Sequence, residues 1–279
     1  MIRGGWVVGE WRNFDEPPET ASVTKSLTAL AVAKLLDLSE SGSIPTKISE
    51  DEFTYQYLPD RWGQDDPGRK EVRLRHLLTM SSGLEPFDGP YRRGYVDVVS
   101  NRPVESPPGT SWAYSSSEVD LLSLVVKRVV GRKLSSFFMD EIGAAIGVPP
   151  FRWPEFSQHS TVSGGPWGGA HTPIRGLARI AYLTLRGGAW SGEQYYGYLW
   201  STNRRHGSLG PEVLEDACFM SGWGMQGCFI VPSLDLIVIR LGGDHRRNKH
   251  REFYRELMTR VVQSLVDGPE QIIASAGDD

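Results

Sequence analysis

The chain has 279 residues, 39% hydrophobic and 23% charged, with 30 Lys and Arg against 34 Asp and Glu for a formal net charge of −4. That length can bury a sizeable core without staples, and these proportions exclude a disordered or fibrous chain. The slight acidic excess argues against nucleic acid as a partner, and two cysteines, Cys218 and Cys228, are too few for a disulfide framework or a Cys-rich metal site.

The opening, Met1-Ile2-Arg3-Gly4-Gly5-Trp6, has no apolar signal-peptide core, and no stretch reaches the ~20 apolar residues of a membrane helix. Cytoplasm is therefore favoured over periplasm or secretion, and oligomeric state is left open. Trp6-Val7-Val8-Gly9-Glu10-Trp11 predicts a short strand, followed by a turn-rich stretch through Pro17 and Pro18. From Ser22 to Leu36 the pattern is helical, with Thr20 or Ser22 available as a cap. This helix is apolar almost all round, as a helix buried inside a protein is. Lys25, in its first turn, is the exception, and a buried lysine requires a reason.

Residues 40–70 are polar and predict a surface crossing. Val72 to Met80 reads as a short helix ended by Ser81-Ser82-Gly83, and residues 85–113, rich in proline and aromatics, as loop. Ser117 is expected to cap a helix running to Val130, with Asp120 at the capping-box position and Gly131 at its stop. A further amphipathic helix covers Arg175 to Arg186, closed by Gly187-Gly188. Phe229 to Leu241 reads as a hairpin around Pro232-Ser233, and Arg251 to Val266 as a last helix before a polar tail over 267–279. The order strand, helices, strands, helix predicts an α+β layer built from both chain ends. Residues 1–38 and 205–266 would form the sheet subdomain, and 39–204 a mostly helical insertion.

Three clusters carry chemistry. In Ser22-x-x-Lys25 the spacing of three puts both side chains on one helix face, with the hydroxyl at the N-terminus. Serine is a poor nucleophile until a base takes its proton, and burial together with the helix dipole disfavours a charged lysine, which suits Lys25 as that base. The tetrad recurs by chance in a chain this long, so its place on a buried helix is what gives it weight. A capping serine beside a snorkelling lysine is the bland alternative. Tyr114-Ser115-Ser116 follows Pro107-Pro108-Gly109 and precedes a helix; Tyr114 would relay a proton, or else be a core tyrosine beside two capping serines. Met220-Ser221-Gly222-Trp223-Gly224 leads into the hairpin, where small residues admit a substrate and a free N–H can bind an oxyanion, unless it is only a bulge or turn.

Together these segments resemble the serine β-lactamase and penicillin-binding-protein-like superfamily, in its class C, esterase and 6-aminohexanoate-dimer-hydrolase-like branch. Ser22-Val23-Thr24-Lys25-Ser26-Leu27 is similar to the nucleophile motif, and Arg75-His76-Leu77-Leu78-Thr79-Met80-Ser81-Ser82-Gly83-Leu84 to a signature segment that follows it. Pro108-Gly109-Thr110 with Tyr114-Ser115-Ser116 resembles the second motif. Gly176-Leu177-Ala178-Arg179 with Gly187-Gly188-Ala189-Trp190 resembles a later helix, and Ser221 through Gln226 to Pro232 the third motif and its hairpin. The resemblance runs from about residue 5 to 266, and motifs in the right order are more specific than any one of them.

It implies an α/β sandwich of β-lactamase/transpeptidase type: an antiparallel sheet covered by helices, with an inserted helical subdomain. It also implies Ser22 as acylated nucleophile, Lys25 as general base and Tyr114 as proton relay. The N–H groups of Ser22 and Trp223 would form the oxyanion hole, and Ser116, Ser221, Gly222 and Trp112 would line the substrate. The substrate would be a small-molecule ester or amide, with no cofactor and no metal. Two departures bear on specificity. Met220 stands where the family usually carries Lys or His, a cation that helps hold a substrate carboxylate, and Ser116 replaces the commoner Asn. Both count against efficient β-lactam or D-Ala-D-Ala recognition. Only 21 residues precede Ser22, where relatives usually carry a further helix and strand, so either the sheet edge is reduced or a piece is missing at the front.

Other readings are weaker. Gly109-Thr110-Ser111-Trp112-Ala113 is a near miss to a nucleophile elbow with His171 as base, but prolines precede it and its last glycine is missing. The histidines form no His-x-His or His-Glu-x-x-His pair. A catalytically inactive, ligand-sensing relative is the rival from another class, and a D,D-peptidase or β-lactamase the rival within it. Trp112, Trp153, Trp167, Trp223 and Tyr91 are candidate walls for a bulky acyl group.

Overall fold

At the start of the chain, strands β1 (Ile2–Arg3) and β2 (Trp6–Val7) pair around Gly4 and Gly5, where the sequence predicts a single strand over 6–11. The computed structural model describes residues 1–11, 17, 19–58, 62, 66–87, 100–156, 159–160, 169–186, 196–242 and 250–266. The polar tail over 267–279 and the stop at Gly187-Gly188 lie outside the described residues.

Helix α1 (Val23–Glu40) forms where expected and is buried around most of its circumference, Lys25 included. A short 3-10 turn at Thr54–Gln56 and helix α2 (Pro67–Lys70) interrupt the surface stretch, α2 being capped by the Asp66 carboxylate that accepts from the Gly68 N–H. Helix α3 (Leu74–Leu78) follows. Helix α4 (Ser116–Val130) starts two residues earlier than Ser117 would allow as its cap. The flanking residue is Ser115, extended at φ −148°, and its hydroxyl meets Ser117 Oγ and the Phe87 N–H rather than the helix end. Helix α5 (Leu134–Phe138), strands β3 (Glu155–Phe156) and β4 (His159–Ser160), and helix α6 (Ile174–Leu185) complete the middle of the chain.

Strands β5 (Tyr196–Gly197), β6 (Trp200–Thr202), β7 (Cys218–Gly222), β8 (Gln226–Val231) and β9 (Leu236–Arg240) then form an antiparallel sheet with the N-terminal hairpin, in the order β2-β1-β9-β8-β7-β6-β5. The sheet thus takes in residues 196–202, within the stretch that the order of predicted elements assigns to the helical insertion. The closing helix is α7 (His250–Val266).

Strand alternation divides the interior in two. Met220, Cys228, Ile230 and Ile237 face a large core with Val23, Leu27 and Leu35 of α1 and Leu121, Phe137 and Phe138 of the inserted helices. Phe219, Phe229, Val231, Leu236 and Val238 face a smaller core with Tyr254 and Met258 of α7. Each fully buried side chain of this size is worth about 1.5–3 kcal/mol. The sheet is therefore covered on both faces, and α1 runs through the middle with its first turn against the end of β7. Among the described residues no helix is long and apolar enough to cross a membrane.

Candidate active site

Ser22 flanks α1 at φ −67°, ψ −7°, yet its hydroxyl does not cap the helix. It is engaged sideways: Lys25 Nζ donates to Ser22 Oγ at 2.9 Å, and Tyr114 Oη donates to the same oxygen at 2.9 Å. Lys25 Nζ also sits 5.0 Å from the centre of the Tyr114 ring. The lysine is 2% exposed and the tyrosine 38%, so the cluster opens to solvent on the tyrosine side and is sealed on the lysine side. The three residues expected to act together are thus within proton-transfer distance.

The first turn of α1 is held from two directions. Thr20 N–H and Oγ1 both donate to Ala170 O, at 2.9 and 2.6 Å, and the Ala170 N–H donates to Thr24 Oγ1 at 2.8 Å. These bonds zip residues 169–171 along the approach to Ser22. Ala21 takes the left-handed conformation at φ 48°, a strained turn for a residue with a Cβ, and one that aims Ser22. On one side a Cβ at Gly169 would stand 2.6 Å from Ala21 N; on the other a Cβ at Gly222 would stand 2.6 Å from Thr20 O and 3.1 Å from Ser22 N. Only glycine permits that approach, so the end of β7 lies directly against the Ser22 backbone.

Tyr114 arrives on a segment pinned at several points. Gly109 N–H donates to Ser81 O at 2.7 Å, Ala113 N–H to Met80 O at 3.1 Å, and Ser117 N–H to Phe87 O at 3.2 Å. The turn at 80–83 that ends the short helix is therefore the seat of the tyrosine loop.

The remaining expected residues divide. Gly222 lies against the Ser22 backbone and Trp223 follows it in the β7–β8 turn; among the described residues neither the Ser22 nor the Trp223 N–H has a backbone acceptor in the turns and loops. Ser221 is half-buried, paired across the ladder with Gly227. Trp112 and Trp223 are half exposed, and Trp112 lies two residues before Tyr114. Ser116 is buried in the first turn of α4. Met220 is also buried, in the large core. Trp153 is not a cleft wall: its ring packs edge-on to Phe138 at 5.6 Å and stacks on Phe151. Tyr91 and Trp167 lie outside the described residues. Ser111 shares its hydrogen bond with Ser106, His171 joins backbone bridges to Glu19 and Arg152, and among the described residues no hydrogen bond joins the Ser111 and His171 side chains. Among the described residues no group of His, Cys, Asp or Glu is arranged to hold a metal ion.

Residues that sequence reasoning passed over also shape the site. The Thr20–Ala170–Thr24 clamp had no signal, because it joins segments about 150 residues apart. Glu118 reads as an ordinary acid in the first turn of a helix; it is buried, accepts hydrogen bonds from the Ser82 N–H and hydroxyl, and burial pushes its carboxyl up to about 8. Arg240 did carry a signal. It alternates with Leu236 and Val238 and so falls on a core-facing position, where a charge is out of pattern.

A family model described as Beta-lactamase matches residues 1–251. No curated protein matches the sequence. Among solved structures, the chain is similar to a Bacillus anthracis protein assigned as a 6-aminohexanoate-dimer hydrolase, with a TM-score of 0.73 and 16% identity over 96% of this chain and 79% of that one. It is similar to a beta-lactamase from Mycobacterium bovis at a TM-score of 0.68 and 17% identity, covering 95% and 92% of the two chains. Unliganded simvastatin synthase from Aspergillus terreus gives a TM-score of 0.63 and 18% identity, covering 92% and 86%.

Proposed function

The chain belongs to the beta-lactamase family, and on that premise we propose that it is a serine hydrolase that cleaves a small ester or amide through an acyl-enzyme on Ser22. One observation carries this reading: Lys25 Nζ and Tyr114 Oη converge on Ser22 Oγ at 2.9 Å each, one sealed from water and the other facing it. Lys25 takes the Ser22 proton as the oxygen attacks the carbonyl carbon. The carbonyl oxygen, now negative, sits between the N–H groups of Ser22 and Trp223, where fixed donors stabilise it. The proton on Lys25 moves through Tyr114, at the open side, to the departing alcohol or amine; water then attacks the acyl-enzyme, and its proton returns through the same groups to Ser22 Oγ as the acid leaves.

The substrate class follows from what surrounds the serine. Met220 occupies the position where the family usually places a cation, and its side chain is spent in the apolar core, so it offers a substrate carboxylate no partner. Trp112, Tyr114 and Trp223 are partly exposed aromatics that would line the mouth. An uncharged ester or amide with an apolar acyl part suits this arrangement better than a carboxylated β-lactam, and Ser116 offers no amide to orient an acyl side chain.

A fluorophosphonate probe and a panel of nitrophenyl esters, simple amides and one chromogenic cephalosporin test the reading. Wild type is expected to label once and to turn over esters, Ser22→Ala to do neither, and Lys25→Ala to lose about 10²–10⁴-fold in rate. Absence of Ser22-dependent labelling and ester release across pH 7–9 would sink it.

A further inference from the structure

The turn between β7 and β8, residues 223–225, carries the Trp223 N–H, and it is braced on the face away from Ser22 by groups outside the motif set. Tyr254 Oη, on the buried face of α7, donates to Gln226 O at 2.7 Å and lies 3.4 Å from Gly222 O, the two residues paired across the base of the turn. Arg240 Nη1, at the end of β9, donates to Met225 O at 2.7 Å and to Gly224 O at 3.3 Å. Its guanidinium lies 5.0 Å from the centre of the Phe253 ring, which fixes it between α7 and the turn. The Gly242 N–H closes the frame by donating to Gln226 Oε1 at 2.8 Å. Gly224 and Met225 both have positive φ, 76° and 62°, so the turn needs such support to hold one shape.

We propose that Tyr254 and Arg240 are positioning residues for catalysis: braced from α7 and β9, the turn presents the Trp223 N–H at a fixed distance from Ser22. The proposal rests on the acyl-enzyme reading above and adds to it where the oxyanion geometry comes from. Two physical terms are involved. The hydrogen bonds tie both ends and the crown of the turn to rigid elements, so the donor pays no reorganisation as negative charge develops. The guanidinium also places a positive charge behind the peptide groups that face the oxyanion, and Lys at position 240 would keep that charge with fewer donors.

The experiment compares wild type with Tyr254→Phe, Arg240→Gln and Arg240→Lys. End-point labelling with the fluorophosphonate counts competent Ser22 sites in each, and nitrophenyl ester kinetics then give kcat per labelled site and KM. Tyr254→Phe keeps its ring in the α7 core, and Arg240→Lys keeps the charge, so each retains the fold. Tyr254→Phe and Arg240→Gln are expected to lower kcat per labelled site about 10–100-fold with KM within about twofold, and Arg240→Lys to recover part of the loss. A merely structural role would reduce the number of labelled sites and leave kcat per site unchanged. Unchanged kcat per site in both Tyr254→Phe and Arg240→Gln, or equal losses in Arg240→Gln and Arg240→Lys, overturns the proposal while wild-type labelling stands. Loss of wild-type labelling and turnover overturns the hydrolase reading itself, and this one with it.

Discussion

At Ser22 a single hydroxyl is diverted from the task its position suggests. A serine before a helix is read as a cap, and the pattern from Ser22 to Leu36 invites that; instead Lys25 and Tyr114 claim the oxygen and the helix end does without. The pair Ser22 and Lys25 was legible because helical spacing alone brings them together. Tyr114 was legible only through the resemblance, since nothing local in Tyr114-Ser115-Ser116 says which residue it will meet. Gly222 was legible as a small residue, but its reason is a distance that no pattern contains: 2.6 Å from a would-be Cβ to Thr20 O, a backbone atom that cannot swing away. Gly222→Ala must therefore move the end of β7 off the Ser22 backbone. It is expected to lower ester turnover per labelled site by about 10–100-fold, the order for a small misplacement of reacting groups. Far-UV circular dichroism should be unaltered, because the β7–β8 ladder and its core are untouched. Turnover at the wild-type rate would remove the end of β7 from the site.

At the level of elements, α4 shows where sequence patterning stops. Its extent was legible from apolar periodicity and from Gly131 at its end, but the burial of its first turn was not, because burial there is imposed by the 80–84 turn folding over it. Glu118 is the consequence: a carboxyl with the Ser82 N–H and hydroxyl as its donors, and with Oε2 unpartnered among the described residues. Desolvation outweighs those hydrogen bonds, so the folded state holds its proton up to about pH 8 while the unfolded chain releases it near the ordinary glutamate value of 4.5. Between those values the native state binds the extra proton, and stability must fall as pH rises, by at most about 1.4 kcal/mol per pH unit. His76 and His250, both held below their usual value of 6.5 by burial, act with the opposite sign and only below that pH. From pH 6.5 to 8 the Met1 amine, held below its usual 8.0 by burial, opposes Glu118, so the carboxyl shows in the difference between the two proteins. Urea midpoints of wild type are expected to fall relative to those of Glu118→Gln as pH rises across that window. Parallel profiles for the two proteins would mean that Glu118 is ionised in the fold at neutral pH.

Over the whole molecule, the sheet joins the first residues of the chain to its last strands, with β1 paired to β9, and α1 passes from that sheet into the helical insertion. The order of motifs carried this much, because a strand before Ser22 and a hairpin near residue 230 can share one sheet only if the chain closes on itself. Strands β5 and β6 escaped because they are two and three residues long, too short to show alternation, and they lie among glycines and aromatics that read as loop. The division into two cores was hidden for a different reason: β8 is apolar at every position but Gln226 and Gly227, as a strand covered on both faces must be, and such a run does not say which neighbour lies on which side. Yet that strand couples the cores, giving Cys228 and Ile230 to one and Phe229 and Val231 to the other. Loosening either should then be felt by both. Met258, fully buried on α7, tests this from the side remote from α1. Met258→Ala is expected to lose about 2–5 kcal/mol, the usual range for emptying a buried methionine site. It should do so as one transition, with tryptophan fluorescence, to which Trp153 and Trp200 of the large core contribute, and far-UV circular dichroism sharing a urea midpoint. A helical signal that melts before the tryptophans would show instead that α7 and its core unfold alone, leaving the turn that carries Trp223 without its brace.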